Sequence, residues 1–158
     1  MDFLWAPWRI KYIESARVEE GCIFCKGLRE PDKRFVLDFN EKAMAIMNIY
    51  PYNPGHVMVA PTRHVGNFND LDDDELLEIS RMIKKAIRAI DKTMKPEGYN
   101  IGINMGQAAG AGVRDHIHIH IVPRWCGDTN FMPVTSDTKV LGEALEDTYK
   151  KLKENWGD

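Results

Sequence analysis

His116-Ile117-His118-Ile119-His120-Ile121-Val122-Pro123-Arg124 is the stretch whose reading decides the fold. Side chains on a strand alternate between its two faces. His116, His118 and His120 therefore share one side, while Ile117, Ile119 and Ile121 share the other and fill a core. The chain holds five histidines, and three of them fall within these five alternating positions, so chance is a poor explanation. Two chemistries suit such a row: a nucleophile with supporting groups, or a metal site, because a His-x-His pair recurs in zinc enzymes. The triplet alone leaves both open.

Working outward, the strand is expected over 116–122, stopped by Pro123. Before it lies a glycine- and alanine-rich loop from Gly106 to Gly112, and before that a strand over Tyr99 to Asn104. A helix is expected from Asp72, with Leu76, Ile79, Ile83, Ala86, Ile87, Ile90 and Met94 forming one apolar stripe. Asp72, Asp73, Asp74 and Glu75 suit its start, and Pro96 and Gly98 end it. Further upstream, Arg34–Phe39 and Lys42–Asn48 read as a hairpin around Asn40-Glu41. His56–Ala60 reads as a third strand, stopped by Pro61. A last helix is expected from about Lys139 to Trp156, with Val140, Leu141, Leu145, Tyr149 and Leu152 as its apolar stripe. Strands in series with one long intervening helix predict an α+β domain with a mainly antiparallel five-stranded sheet. The pattern argues against a doubly wound nucleotide-binding fold, since no G-x-G-x-x-G follows a strand and strands and helices do not alternate regularly.

The 158 residues fit one domain: an arm over 1–21, a core over 22–124, and a tail with its helix over 125–158. Trp5, Trp8 and Tyr12 suit packing of the arm onto its own body or onto a second subunit. Hydrophobic residues make up 44% and charged residues 28%, as in globular proteins. A net charge of -3 lacks the basic footprint of nucleic-acid binding. No apolar run reaches the roughly 18–20 residues a membrane span needs, and the N-terminus does not read as a secretory signal. The expectation is a cytoplasmic protein without nucleic-acid or membrane partners. Three cysteines do not make a disulfide framework. Cys22-Ile23-Phe24-Cys25 reads as a tight knuckle with redox, metal-binding or structural uses, and Cys126 as structural or incidental.

Asn48-Ile49-Tyr50-Pro51-Tyr52-Asn53-Pro54-Gly55-His56-Val57, the long helix, Tyr99–Asn104, the glycine loop and His-Ile-His-Ile-His-Ile-Val form one ordered series. This series, from roughly Cys22 to Arg124, resembles the histidine triad (HIT) family, whose signature is His-φ-His-φ-His-φ-φ. The resemblance implies attack by a histidine on a nucleotide α-phosphorus, then resolution of the nucleotidyl-histidine by water or another acceptor. Imidazole suits this because it is largely neutral near pH 7. By motif position, His118 matches the nucleophile and His120 the partner at the phosphate and leaving group. His116 matches a supporting or metal position, and His56 a group that orients the site, with a core histidine satisfied by backbone as its alternative. Asn48 matches a ribose-binding position and Asn104 a position near the phosphates; either also suits an ordinary strand end. In the loop, Gly110, Ala111, Gly112 and Val113 offer backbone N–H groups to phosphate oxygens. Members often carry glutamine, serine or threonine where this chain has Ala111-Gly112. Asp115 suits an imidazole anchor or a strand-end charge.

Some members bind zinc through a C-x-x-C pair and two histidines, and Cys22, Cys25, His64 and His116 match those positions. The resemblance thus implies a structural zinc, nucleotide substrates and a homodimer. The Pro123–Val134 segment and the Leu4–Arg9 start look like the branch of diadenosine tetraphosphate phosphorylases and related hydrolases. Trp125 and Phe131 suit contact with a second nucleoside or plain packing. A nucleoside phosphoramidate is the alternative substrate. Rivals of another kind are a nucleotide-binding regulator with little turnover, and a metalloenzyme with His116, His118 and His120 on one catalytic metal.

Overall fold

A computed structural model describes residues 21–130 and 141–157. Cys22 caps a short helix, α1 (Ile23–Arg29). Then β1 (Val36–Phe39), β2 (Ala43–Met47) and β3 (Val57–Pro61) form an antiparallel meander. The β1–β2 turn is set by Asn40, whose Oδ1 accepts the N–H groups of Lys42 and Ala43, each at 2.9 Å; a short amide side chain mimics the missing backbone partner there. Helix α2 (Asp73–Met94) crosses to the far edge. Strand β4 (Gly98–Ile103) forms that edge, and β5 (Ile119–Arg124) returns between β3 and β4.

Helix α2 begins where its sequence says. Asp72 Oδ1 accepts the Glu75 N–H at 2.7 Å and Glu75 Oε2 accepts the Asp72 N–H at 2.9 Å, a reciprocal cap worth about 1 kcal/mol. It ends where Lys95 turns left-handed and Pro96 cannot continue the helix. Its buried stripe (Ile79, Met82, Ala86, Ile90) packs on one sheet face together with α3 (Leu145–Glu154). Ile117, Ile119 and Ile121 point into this layer, each burial worth roughly 1.5–3 kcal/mol. The opposite face packs Phe24 of α1 on Val36, Met44, Ile46, Met58 and Ala60. A Cβ on Gly27 would lie 3.2 Å from Val36 Cγ2 and 3.3 Å from Ile46 Cδ1, so glycine lets α1 lie close to the sheet. With both faces covered, β2 and β3 are buried throughout and read as continuous apolar runs.

The structure departs from the sequence expectations at four places. The Cys22–Cys25 knuckle opens a helix, α1, whose seven residues are too few for a periodic signal. The first strand begins at Val36, because residues 32–34 form a 3-10 turn and Phe35 is left-handed. The triad strand joins the ladder only at Ile119 and continues through Pro123 to Arg124. Pro123 is tolerated because β3 has already ended, its last pairing with β5 being Val57 with Ile121. The carbonyl of Pro123 on that side accepts Asn53 Nδ2 at 2.9 Å instead. Finally, the last helix starts at Leu145, since Ala144 is extended and leaves Glu146 and Asp147 in the first turn. Leu145, Tyr149 and Leu152 face the core as expected. Trp5, Trp8, Tyr12, Phe131 and Val140 lie outside the described residues.

Candidate active site and metal centre

His118 is 5% exposed and sits just before β5. Its Nδ1 lies 2.9 Å from the backbone oxygen of His116. A carbonyl only accepts, so Nδ1 carries the proton and Nε2 keeps its lone pair. Phe24 backs the ring at 5.0 Å between centroids. Burial pushes the pKa of His118 down, against the pull of the His116 carbonyl. The ring is therefore neutral at pH 7, with a bare nitrogen: the state a nucleophile needs.

A second chain of bonds fixes His120. The backbone N–H of Tyr52 donates to His56 Nδ1 at 3.1 Å, with Asn48 Nδ2 at 3.4 Å. The proton of neutral His56 is thus on Nε2, which lies 2.9 Å from His120 Nδ1. That nitrogen accepts, so neutral His120 holds its own proton on Nε2. Burial, with the neighbouring imidazoles second, pushes His56 down to about 3 and His120 to about 4. The two rings on this strand thus present complementary groups, a lone pair on His118 and an N–H on His120, with centroids 4.9 Å apart. Gly55 makes the turn into His56 possible: its φ is +78°, and a Cβ there would meet Met94 Sδ at 2.7 Å.

His116 faces elsewhere. Its Nε2 donates to the Pro61 carbonyl at 2.7 Å, which leaves Nδ1 bare. Nδ1 lies 3.2 Å from Cys22 Sγ and 3.7 Å from Cys25 Sγ, and His64 Nδ1 lies 3.4 Å from Cys25 Sγ. The four donor atoms all lie within 4.8 Å of one another and can hold a metal ion. A tetrahedral ion with sulfur at ~2.3 Å and nitrogen at ~2.0 Å has N–S edges of about 3.5 Å, so the spacing fits. With Nε2 on the Pro61 carbonyl and Nδ1 turned to the two thiols, His116 reaches the reactive pair through its backbone carbonyl.

The remaining expected residues divide. Asn48 turns inward, its Oδ1 accepting the Tyr50 N–H at 2.9 Å and its amide against His56. Asn104 is half-buried just after β4. In the loop, the N–H groups of Gly110 and Ala111 are taken by the carbonyls of Gln107 and Gly106, which leaves Gly112 and Val113 as the backbone donors of that run. Val113 packs beside Phe24 on the histidine face. Asp115 is exposed, four residues before β5. Sequence reasoning missed the Pro61 carbonyl, which no sequence signal marks, and the ring of Tyr52, which stacks on His120 at 5.7 Å and 21°. It also missed Asn53, buried and bonded to the Pro123 carbonyl and to Asp128 Oδ2 at 2.6 Å. The Pro-Tyr-Asn-Pro-Gly run announced a turn without announcing these contacts.

A family model for the HIT domain matches residues 29–126. The chain is 36% identical to AP-4-A phosphorylase of Mycobacterium tuberculosis, over 97% of this chain and 83% of that protein. It is 30% identical to adenosine 5'-monophosphoramidase of Schizosaccharomyces pombe, over 82% of this chain and 99% of that one. A Zn-bound histidine triad family protein from Mycobacterium smegmatis superposes with a TM-score of 0.69 at 26% identity, covering 85% of this chain and 92% of the other. The chain is an enzyme of the histidine triad family.

Proposed function

We propose that this chain, working as one domain over 1–158, cleaves nucleotides at the α-phosphorus through a nucleotidyl-His118 intermediate. One observation carries the reading: His118 offers a bare Nε2 beside the N–H of His120. The lone pair of His118 Nε2 forms the N–P bond while the P–O bond to the leaving group breaks and its electron pair departs with that oxygen. His120 Nε2–H donates a hydrogen bond to the departing oxygen as its charge develops. Water or phosphate then attacks the phosphorus, and the N–P pair returns to Nε2. Asn48, Asn104, Gly112 and Val113 are the groups we assign to the nucleotide.

The substrate class we favour is a dinucleoside polyphosphate such as diadenosine tetraphosphate, on the likeness to the phosphorylase over nearly the whole chain. The likeness to the phosphoramidase supports a nucleoside phosphoramidate as the second reading at the same site. Intact-protein mass spectrometry after brief exposure to diadenosine tetraphosphate tests the chemistry. The native chain should gain a transient AMP adduct that His118→Ala lacks, and turnover retained by His118→Ala would overturn the mechanism.

Two thiols and two imidazoles suit zinc, and when bound it would supply a structural cross-link between α1, the segment after β3 and the run into β5. A chain with three free cysteines suits a cytoplasmic setting, and no helix among the described residues is long and apolar enough to cross a membrane. A homodimer paired along β4 is the assembly we favour. The opposite edge, β1, is covered by α3, with Lys153 Nζ on the Leu37 carbonyl at 2.8 Å, whereas β4 leaves Ile101 46% exposed. Light scattering should give twice the chain mass, and the chain mass alone after Ile101→Lys.

A further inference from the structure

We propose that the Tyr52 ring is a leaving-group subsite: it stacks on the base of the departing nucleotide and so favours long, nucleoside-ended leaving groups over small ones. The inference rests on the reading of His118 as the nucleophile. Tyr52 lies in the β2–β3 loop, and its ring contacts His56 at 4.5 Å and His120 at 5.7 Å. Among the described residues it makes no ring contact with His118. The planes of Tyr52 and His120 are only 21° apart, so the tyrosine continues the surface that His120 begins.

In-line displacement puts the departing oxygen opposite the attacking nitrogen. That oxygen therefore lies with His120, and the departing triphosphate folds back from it so that its nucleoside, three phosphates away, reaches the exposed face beyond His120, which is Tyr52. Tyr52 is 54% exposed, more than a tyrosine serving the core would be, and among the described residues its hydroxyl has no hydrogen-bond partner. Its support is rigid. Asn53 next to it is 2% exposed, its carbonyl accepts the His56 N–H at 3.2 Å, and its amide is tied to the Pro123 carbonyl and Asp128. A half-free aromatic face on a fixed turn binds a base at little ordering cost, and stacking tolerates any base because each has a π-face.

The test compares kcat/KM for diadenosine tetraphosphate, which releases ATP, with that for adenosine 5'-phosphoramidate, which releases ammonia. Tyr52→Ala should shift the ratio of the two against the tetraphosphate by at least about tenfold, equivalent to about 1.4 kcal/mol. Tyr52→Phe and Tyr52→Trp, which keep a ring, should shift it by less than about threefold. Because the ratio is taken within one preparation, partial misfolding of a variant cancels. An unchanged ratio for Tyr52→Ala, or a shift in Tyr52→Phe as large as in Tyr52→Ala, overturns the subsite. A native chain that cleaves neither compound, or a His118→Ala chain that cleaves either, instead removes the underlying mechanism and the subsite with it.

Discussion

His116 and His118 stand two residues apart in the run that enters β5, both buried and both against Phe24 at 4.9 and 5.0 Å. They nevertheless present opposite nitrogens. A carbonyl takes Nε2 of His116 and leaves Nδ1 facing two thiols; another carbonyl takes Nδ1 of His118 and leaves Nε2 bare. On the proposed function, the same side chain serves as a metal ligand or as a nucleophile according to which nitrogen is tied. His116 also links the two, because its own carbonyl is the one that ties His118.

The contrast breaks most sharply at His118. His118→Ala should lower kcat by about 10⁴-fold or more, about 5.5 kcal/mol of barrier, while metal content per chain stays that of the native protein. Elemental analysis beside steady-state turnover checks both halves. The mirror experiment is Cys22→Ser with Cys25→Ser. Bound metal should be lost and thermal stability should fall by roughly 2–4 kcal/mol, about 5–15 °C in Tm. Activity should fall through the displaced His116 carbonyl and less than in His118→Ala. Were chelation instead to abolish turnover as completely as His118→Ala while circular dichroism stayed native, the metal would be catalytic and the contrast wrong.

A smaller effect is expected at His56, whose hydrogen bond to the reactive pair runs through His120. His56→Leu should reduce kcat by about 10–100-fold with little change in KM, because Asn48 and the loop amides remain. A KM effect larger than the kcat effect would mean that His56 serves binding. The smallest effect is a slope. In the unfolded chain His56 and His120 take protons near pH 6.5, whereas in the folded chain burial holds them neutral down to about 3 and about 4. The unfolded state thus binds more protons below pH 6.5, so their stabilisation is complete above that pH and is lost as pH falls towards 4 and below. Each contributes up to about 1.4 kcal/mol per pH unit. Denaturant melts from pH 7 to pH 4.5 should show this loss, and His56→Leu should show a shallower one.

Much of this was legible in the sequence for a local reason. Alternation with period two put His116, His118 and His120 on one face and three isoleucines on the other, and the structure keeps that division. Asp72 and Glu75 announced the start of α2, and the Pro54-Gly55 turn announced the run into His56. Cys22, Cys25, His64 and His116 were grouped by family likeness, and the structure brings them within reach of one ion. Helix α1 escaped because seven residues carry too little period, and Pro123 misled because a proline stops a strand only where a neighbouring strand needs its N–H.

The sequence by itself determined which residue types stand on which face, because side-chain direction on a strand depends only on the residue's neighbours. Tertiary structure alone decided which nitrogen of each histidine is bare. Tautomers answer to hydrogen-bond partners, and those came from distant parts of the chain: the Pro61 carbonyl, 55 positions before His116, and His56, 64 positions before His120. No local pattern encodes contacts that exist only once β3 lies beside β5.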